Sequence, residues 1–222
     1  IDSASHSGSD TLIAFVPEAI VLLIIFFVIR AVTREESGNS VFWDSLRFTF
    51  HYILHPLQNA SLIPSSTFAS KAMLDGIDFG AIDVVVELGP GTGVFTEEIL
   101  KRCKPNTAVV LVEIEKAYVE ALRQRFGDRV IVEHASAQYF DILVAKHTDK
   151  NINLIVSGLP VHIPAIKEKL FEAIRKQTER GAIYRFFSYV PPLVRREYKN
   201  LPVRKLSFVF RNFPPMWIFG IN

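Results

Sequence analysis

The residues that could do chemistry begin at a glycine-rich turn. A β-branched run, Val84-Val85-Val86, leads through Glu87 and Leu88 into Gly89-Pro90-Gly91-Thr92-Gly93. Glycines at 89, 91 and 93 let the backbone approach a ligand without Cβ clashes and adopt positive φ, and a helix beginning near Phe95 would offer unpaired N–H donors. A dinucleotide loop reads Gly-x-Gly-x-x-Gly; here the third glycine comes one residue early and Val94 holds its place. A carboxylate at Glu87 would also repel a pyrophosphate. The loop therefore points to S-adenosylmethionine, and so to methyl transfer, rather than to a nicotinamide or flavin.

The next apolar run, residues 108–112, ends in Glu113, about twenty residues beyond the loop. That spacing places a carboxylate at the edge of the neighbouring strand, where it can accept both ribose hydroxyl hydrogens. Glu115 is the backup. Ser136 stands where many such sites put an Asp for the adenine amino group, so adenine recognition would lean on backbone groups and on Tyr139 and Phe140. The fourth strand ends in Ser157-Gly158-Leu159-Pro160. Amine methyltransferases often carry Asn/Asp-Pro-Pro-Tyr there; the Ser157 hydroxyl and the carbonyls around Gly158 and Leu159 are the groups left to orient a nitrogen beside the cofactor. A plain tight turn is the competing reading.

The elements that must position these residues follow from periodicity. After Pro64 the chain alternates: strands at 83–88, 108–113, 129–133, 152–157, 182–188, 203–210 and 215–221, with helices near 66–75, 95–103, 115–126 and 164–179. Such alternation implies right-handed crossovers and a mostly parallel sheet covered on both faces. The last two strands, joined through residues 212–215, imply an antiparallel hairpin. The expected fold is α/β, a Rossmann-like class I methyltransferase with a seven-stranded sheet.

Ahead of this domain, residues 1–11 are polar and aperiodic and read as a disordered tail. Residues 12–34 contain an apolar stretch, 12–32, long enough at ~1.5 Å per residue to span a hydrocarbon core of ~30 Å. Arg30 and Arg34 follow it and nothing basic precedes it, which would leave the domain from residue 67 onward facing the cytoplasm. Residues 41–58 read as an amphipathic helix, one that covers the cofactor, lies on lipid with Trp43 and Tyr52 at headgroup depth, or does both. With the lead-in to 66, it forms a unit of its own.

One cysteine, Cys103, excludes an internal disulfide and a cysteine-rich metal site, and no metal is expected. The net charge of +2 hides an asymmetry: from Val161 to Asn222 there are twelve Lys/Arg against four Glu. That end favours an anionic partner.

Taken together, Leu62-Ile63-Pro64-Ser65-Ser66, residues 86–96, Ser157–Pro160, Phe187-Ser188-Tyr189-Val190-Pro191 and Arg211-Asn212-Phe213-Pro214-Pro215 resemble the bacterial phospholipid N-methyltransferases, relatives of the ribosomal RNA adenine dimethylases. The resemblance runs over residues 42–222. It implies methyl transfer from S-adenosylmethionine to the amine of phosphatidylethanolamine and its partly methylated forms. It further implies that Glu87, Gly89, Gly91, Gly93 and Glu113 hold the cofactor, that Pro64 and Ser65 lie near its methionine end, and that Tyr189 faces the acceptor.

An ethanolamine amine is mostly protonated at neutral pH and lacks a lone pair in that form, so a site acting on it must orient the nitrogen and let a proton leave. Tyr189 and His162 are the candidates, each with an ordinary reading as packing or surface residue. Arg195, Arg196, Lys199, Arg204 and Lys205 would face anionic lipid, adding ~1 kcal/mol of attraction each. An RNA adenine methyltransferase would share the loop and welcome the basic end, but Ser157–Pro160 lacks both the Asn/Asp and the aromatic that would stack on a flipped base. Another amine lipid, such as ornithine lipid, or a cofactor-binding protein without activity also remains open.

Overall fold

In the computed structural model of the protein, residues 64–212 and 215–222 are described, with side chains from 67 onward. The expected segments 1–11 and 12–34, and residues 41–63 of the expected segment 41–66, lie outside them. Among the described residues no helix is long and apolar enough to cross a membrane.

The β-branched runs form the centre of a seven-stranded sheet. The strands are β1 (Val84–Leu88), β2 (Ala108–Glu113), β3 (Ile131–His134), β4 (Leu154–Ser157), β5 (Ile183–Ser188), β6 (Arg204–Val209) and β7 (Met216–Ile221), in the order β3-β2-β1-β4-β5-β7-β6. The first five are parallel. β7 enters antiparallel between β5 and β6, closing the sheet with the expected hairpin. Strands buried on both faces lose the apolar–polar alternation and read as continuous apolar runs, and every residue of β1, including Glu87, is buried.

The helices are α1 (Pro64–Met73), α2 (Val94–Arg102), α3 (Lys116–Phe126), α4 (Phe140–Ala145), α5 (Lys167–Glu179) and α6 (Pro191–Glu197). Two were not expected. α4 is a single six-residue stretch behind a 3-10 turn at Ala137–Tyr139, too short for a periodic signal. α6 begins at Pro191-Pro192, and proline is tolerated in a first helical turn, where no intrahelical N–H bond is required. The helix thought to begin near Phe95 starts at Val94, with Gly93 as its N-cap in the left-handed region (φ +81°). β3 lies two residues later than expected at its start, after a 3-10 turn at Gly127–Arg129.

The site is set by the sheet's change of direction. β1 pairs with β2 on one side and β4 on the other, so the chain departs in opposite directions from its carboxyl end, and Leu88 and Ser157 end in register there. Open α/β sheets bind ligands at such a switch point. At the opposite end, Asn153 ties the two central strands together: its side-chain oxygen accepts from the N–H groups of Asp83 and Val84, each at 2.9 Å. Asn153→Ala strands both donors and should cost about 1–3 kcal/mol; urea denaturation checks it, with Asn153→Asp retaining part of the loss-free stability because its oxygen still accepts.

Candidate functional site

Three glycines shape the turn after β1. Gly89, Gly91 and Gly93 all have positive φ (+67°, +54° and +81°), conformations that cost side-chain-bearing residues free energy. Two also sit against neighbours: a Cβ on Gly89 would stand 2.7 Å from the Leu159 side chain, and one on Gly93 2.6 Å from the Phe126 ring. Gly91 differs, because a Cβ there would meet nothing within 4 Å. Its backbone therefore borders open space. Across the switch point, Gly158 donates to the Leu88 carbonyl at 2.8 Å, and a Cβ on Gly158 would lie 2.6 Å from the Gly89 carbonyl oxygen. The two loops are thus in backbone contact.

Glu113 fastens this turn. One carboxylate oxygen accepts from the N–H groups of Ile114 (2.8 Å) and Glu115 (2.9 Å), and the other accepts from Gly91 N–H at 3.1 Å. The side chain is only 6% exposed. A carboxylate has about four acceptor sites, so capacity remains for ribose hydroxyls, but its first duty in the fold is to hold the glycine turn onto β2. Glu115 caps α3 from an exposed position and makes no side-chain cap.

Glu87 is fully buried. Its Oε2 accepts from the Thr96 hydroxyl at 2.6 Å, while Oε1, sealed from solvent, has no protein partner. Burial pushes its pKa up to about 8, with the nearby Glu113 charge adding to the rise and the Thr96 hydrogen bond opposing it. A buried carboxylate oxygen without a partner suits a cationic or hydrogen-bond-donating ligand. Together with the bare backbone at Gly91, it makes these residues fit S-adenosylmethionine. Thr96 escaped the sequence reading, although a hydroxyl in the first turn of the helix after the loop was the available signal.

The remaining predicted residues are placed less uniformly. Ser136 is half-buried just ahead of the Ala137–Tyr139 turn, where its carbonyl accepts from Tyr139 N–H. Tyr139 is 41% exposed and available to a ligand, but Phe140, fully buried, belongs to the core rather than to an adenine contact. Gly158 and Leu159 border the glycine turn. Ser157 is 2% exposed; its hydroxyl accepts from Leu159 N–H at 3.3 Å and lies within hydrogen-bonding reach of buried Tyr184. In the structure it supports the turn from below. Pro64 and Ser65 open α1, which is tied to α2 by Arg102, a donor to the Leu74 carbonyl at 2.9 Å.

Tyr189, expected to face the acceptor, is half-buried against Phe187, with ring centroids 5.7 Å apart, and its hydroxyl bonds the Asn212 side chain. Burial raises its pKa to about 12, so it cannot serve as a base near neutral pH and acts as a hydrogen-bonding group. His162 lies with Nδ1 3.2 Å from Glu197 Oε1. Glu197 was missed in the sequence, where the only signal was a lone acid within a basic segment. It is 7% exposed and gathers Lys167 (2.6 Å) and Arg196 (2.9 Å) as well. Burial alone would raise its pKa, but these cations outweigh that and hold it below the ordinary value. The cluster joins the loop after β4 and the start of α5 to α6.

Comparisons with known proteins agree with the fold. The family model for ribosomal RNA adenine dimethylase matches residues 64–201. An ornithine lipid N-methyltransferase from Singulisphaera acidiphila is 29% identical over 178 residues, covering 78% of this chain and 92% of that protein. Ribosomal RNA small subunit methyltransferase A from Cupriavidus metallidurans is 37% identical over 91 residues, but the match takes in 41% of this chain and 31% of that protein. A solved S-adenosylmethionine-dependent methyltransferase from Leishmania major superposes with a TM-score of 0.57 over 77% of this chain and 76% of its own, at 13% identity, which speaks to the fold.

Two outcomes follow. Glu87 is protonated in the fold up to about pH 8 but ionised in the unfolded chain from about 4.5, so its contribution to stability is whole below 4.5 and is lost as pH rises to about 8. Denaturation of the ligand-free protein between pH 5 and 9 should show this loss, and Glu87→Gln should remove that part of the slope. Glu113→Ala should weaken binding of S-adenosylhomocysteine at least ~10-fold by calorimetry, since charged hydrogen bonds of ~1.5–3 kcal/mol each are removed; unchanged affinity would withdraw its assignment. On sheet order, switch-point site and family match together, the chain belongs to the ribosomal RNA adenine dimethylase family and is an S-adenosylmethionine-dependent methyltransferase.

Proposed function

We propose that the protein methylates the amine of a membrane lipid. The observation that carries this reading is the extent of the lipid-enzyme match: the ornithine lipid N-methyltransferase aligns over almost its full length, whereas the ribosomal RNA enzyme aligns over about a third of its own. The turn after β4 supports it. Ser157-Gly158-Leu159-Pro160 offers neither an aromatic face for a base nor a free amide, and its hydroxyl is buried. Ornithine lipid is favoured by the relative; phosphatidylethanolamine, with its partly methylated forms, is favoured by the sequence motifs.

Bound S-adenosylmethionine supplies the methyl group. Glu87, Gly89, Gly91, Gly93 and Glu113 are assigned to hold it, with Ser136, Gly158 and Leu159 at the margin and Pro64 and Ser65 at its methionine end. The acceptor nitrogen must arrive neutral, bond to the methyl carbon as the sulfur–carbon bond breaks, and shed any remaining proton. Tyr189, held protonated, orients the amine by hydrogen bonding. His162, backed by Glu197 at 3.2 Å, is the group of the β4–α5 connection suited to accept the proton.

Delivery of a lipid requires contact with a membrane. Residues 12–32 and the 41–58 helix are assigned that role, with the catalytic domain on the cytoplasmic side. The side chains of Arg195, Arg196, Lys199, Arg204 and Lys205 are exposed, which suits attraction to anionic headgroups.

The test is methyl transfer from labelled S-adenosylmethionine. The purified chain is given vesicles containing ornithine lipid, vesicles containing phosphatidylethanolamine, or small-subunit ribosomal RNA. Label should enter at least one lipid and not the RNA, and Gly91→Arg, which fills the open space beside the loop, should abolish it. Label in RNA alone, or cofactor binding with no transfer to any amine lipid, overturns the reading.

A further inference from the structure

Away from the glycine turn and the loop after β4, a groove of about 390 Å³ runs between α6 and the β6–β7 edge of the sheet. That volume falls in the ~300–1,000 Å³ range of small-molecule sites. Its lining mixes polar and apolar surface: Val194 and Leu201 lie buried at its base, and Phe219, 5% exposed, joins the ring stack of Phe186 and Tyr198 beneath. Three cations also line it: Arg195 from α6, Lys199 from the turn after it and Lys205 from β6. All three are exposed, and among the described residues none has an ion-pair partner.

The neighbouring charges sharpen the contrast. Glu197, the one acid of this segment, is already taken by His162, Lys167 and Arg196. No carboxylate lines the groove, so it carries positive charge over a lining of mixed polar and apolar surface. Beside it, the edge strand continues into Leu206 and Phe208, each 47% exposed, and Phe210, 77% exposed. Exposed apolar side chains on the strand that forms the sheet's edge among the described residues, next to cations without an ion-pair partner there, match a surface that meets headgroups and acyl chains together.

We infer that this groove binds one anionic phospholipid, with Arg195, Lys199 and Lys205 on its phosphodiester and Val194, Leu201 and Phe219 against its apolar part. None of these residues belongs to the cofactor loop or to the turn after β4, and none of them is assigned a part in methyl transfer. The choice of a lipid over another phosphodiester rests on the lipid reading above. Attraction from three cations concentrates the enzyme on anionic regions of a bilayer and fixes how its edge strand meets the surface.

The test uses the full chain in phosphatidylcholine vesicles carrying trace photoactivatable phosphatidylglycerol or, separately, photoactivatable phosphatidylcholine, with crosslinked peptides mapped by mass spectrometry. The anionic probe should label the 194–205 segment and β7, and R195Q/K199Q/K205Q should reduce that label at least ~10-fold. The charge-matched control K146Q/K176Q/R180Q, after α4 and on and after α5, should leave it intact, and circular dichroism verifies that both variants fold. Equal labelling by the zwitterionic probe, labelling indifferent to the triple substitution, or displacement of the probe by inorganic phosphate or single-stranded RNA at constant ionic strength overturns the inference. Methyl transfer measured in the same vesicles separates the two claims: transfer without groove labelling removes only the groove, and labelling without transfer removes only the lipid-methylation reading.

Discussion

A turn that takes three left-handed glycines in five residues cannot hold its own shape, and here the carboxylate of Glu113 holds it. Its oxygens accept from Gly91 on one side and from Ile114 and Glu115 on the other. The same residue thereby fixes the loop, ends β2 and starts the path to α3. Gly158 packs against Gly89 so closely that no Cβ fits between them, so the loop after β4 takes its position from the glycine turn.

Two buried acids lie within this arrangement, and their different environments give them different roles. Glu113 is satisfied by backbone donors. Glu87 has one hydrogen bond from Thr96 and one oxygen without a protein partner, and burial holds it protonated near neutral pH. Burying a carboxylate without compensation is costly, and functional sites are where such costs are concentrated. The free energy lost at Glu87 is recoverable by a ligand that supplies the missing donor. Glu197 shows the opposite solution, a buried acid neutralised by three surrounding cationic or titratable groups.

Much of the fold was legible in the sequence because it rests on local pattern. The valine runs of β1 and β2, the glycine turn and the spacing to Glu113 are short-range signals, and the closing hairpin announced itself through residues 212–215. What escaped depends on contacts distant in sequence. Nothing near Ser157 says that Tyr184 and Leu159 enclose its hydroxyl. Nothing near Glu197 says that His162 and Lys167 converge on it. α6, seven residues opened by two prolines, is too short for its apolar spacing to stand out. Phe140 looked like a candidate for adenine and proved to be core, since an aromatic after a strand has the same sequence signature in either setting.

A cofactor site built on backbone geometry stands beside a turn without the aromatic and amide groups of base recognition, and basic residues flank an edge strand with exposed apolar side chains. Passage of the methyl group to a lipid amine, as proposed, is tested most directly by mass analysis of the lipids of cells expressing the chain. Amine headgroups should carry one or more added methyl groups, absent when Gly91→Arg is expressed at the same level; a lipid profile identical in the two, with methylated adenine appearing in ribosomal RNA instead, would contradict it.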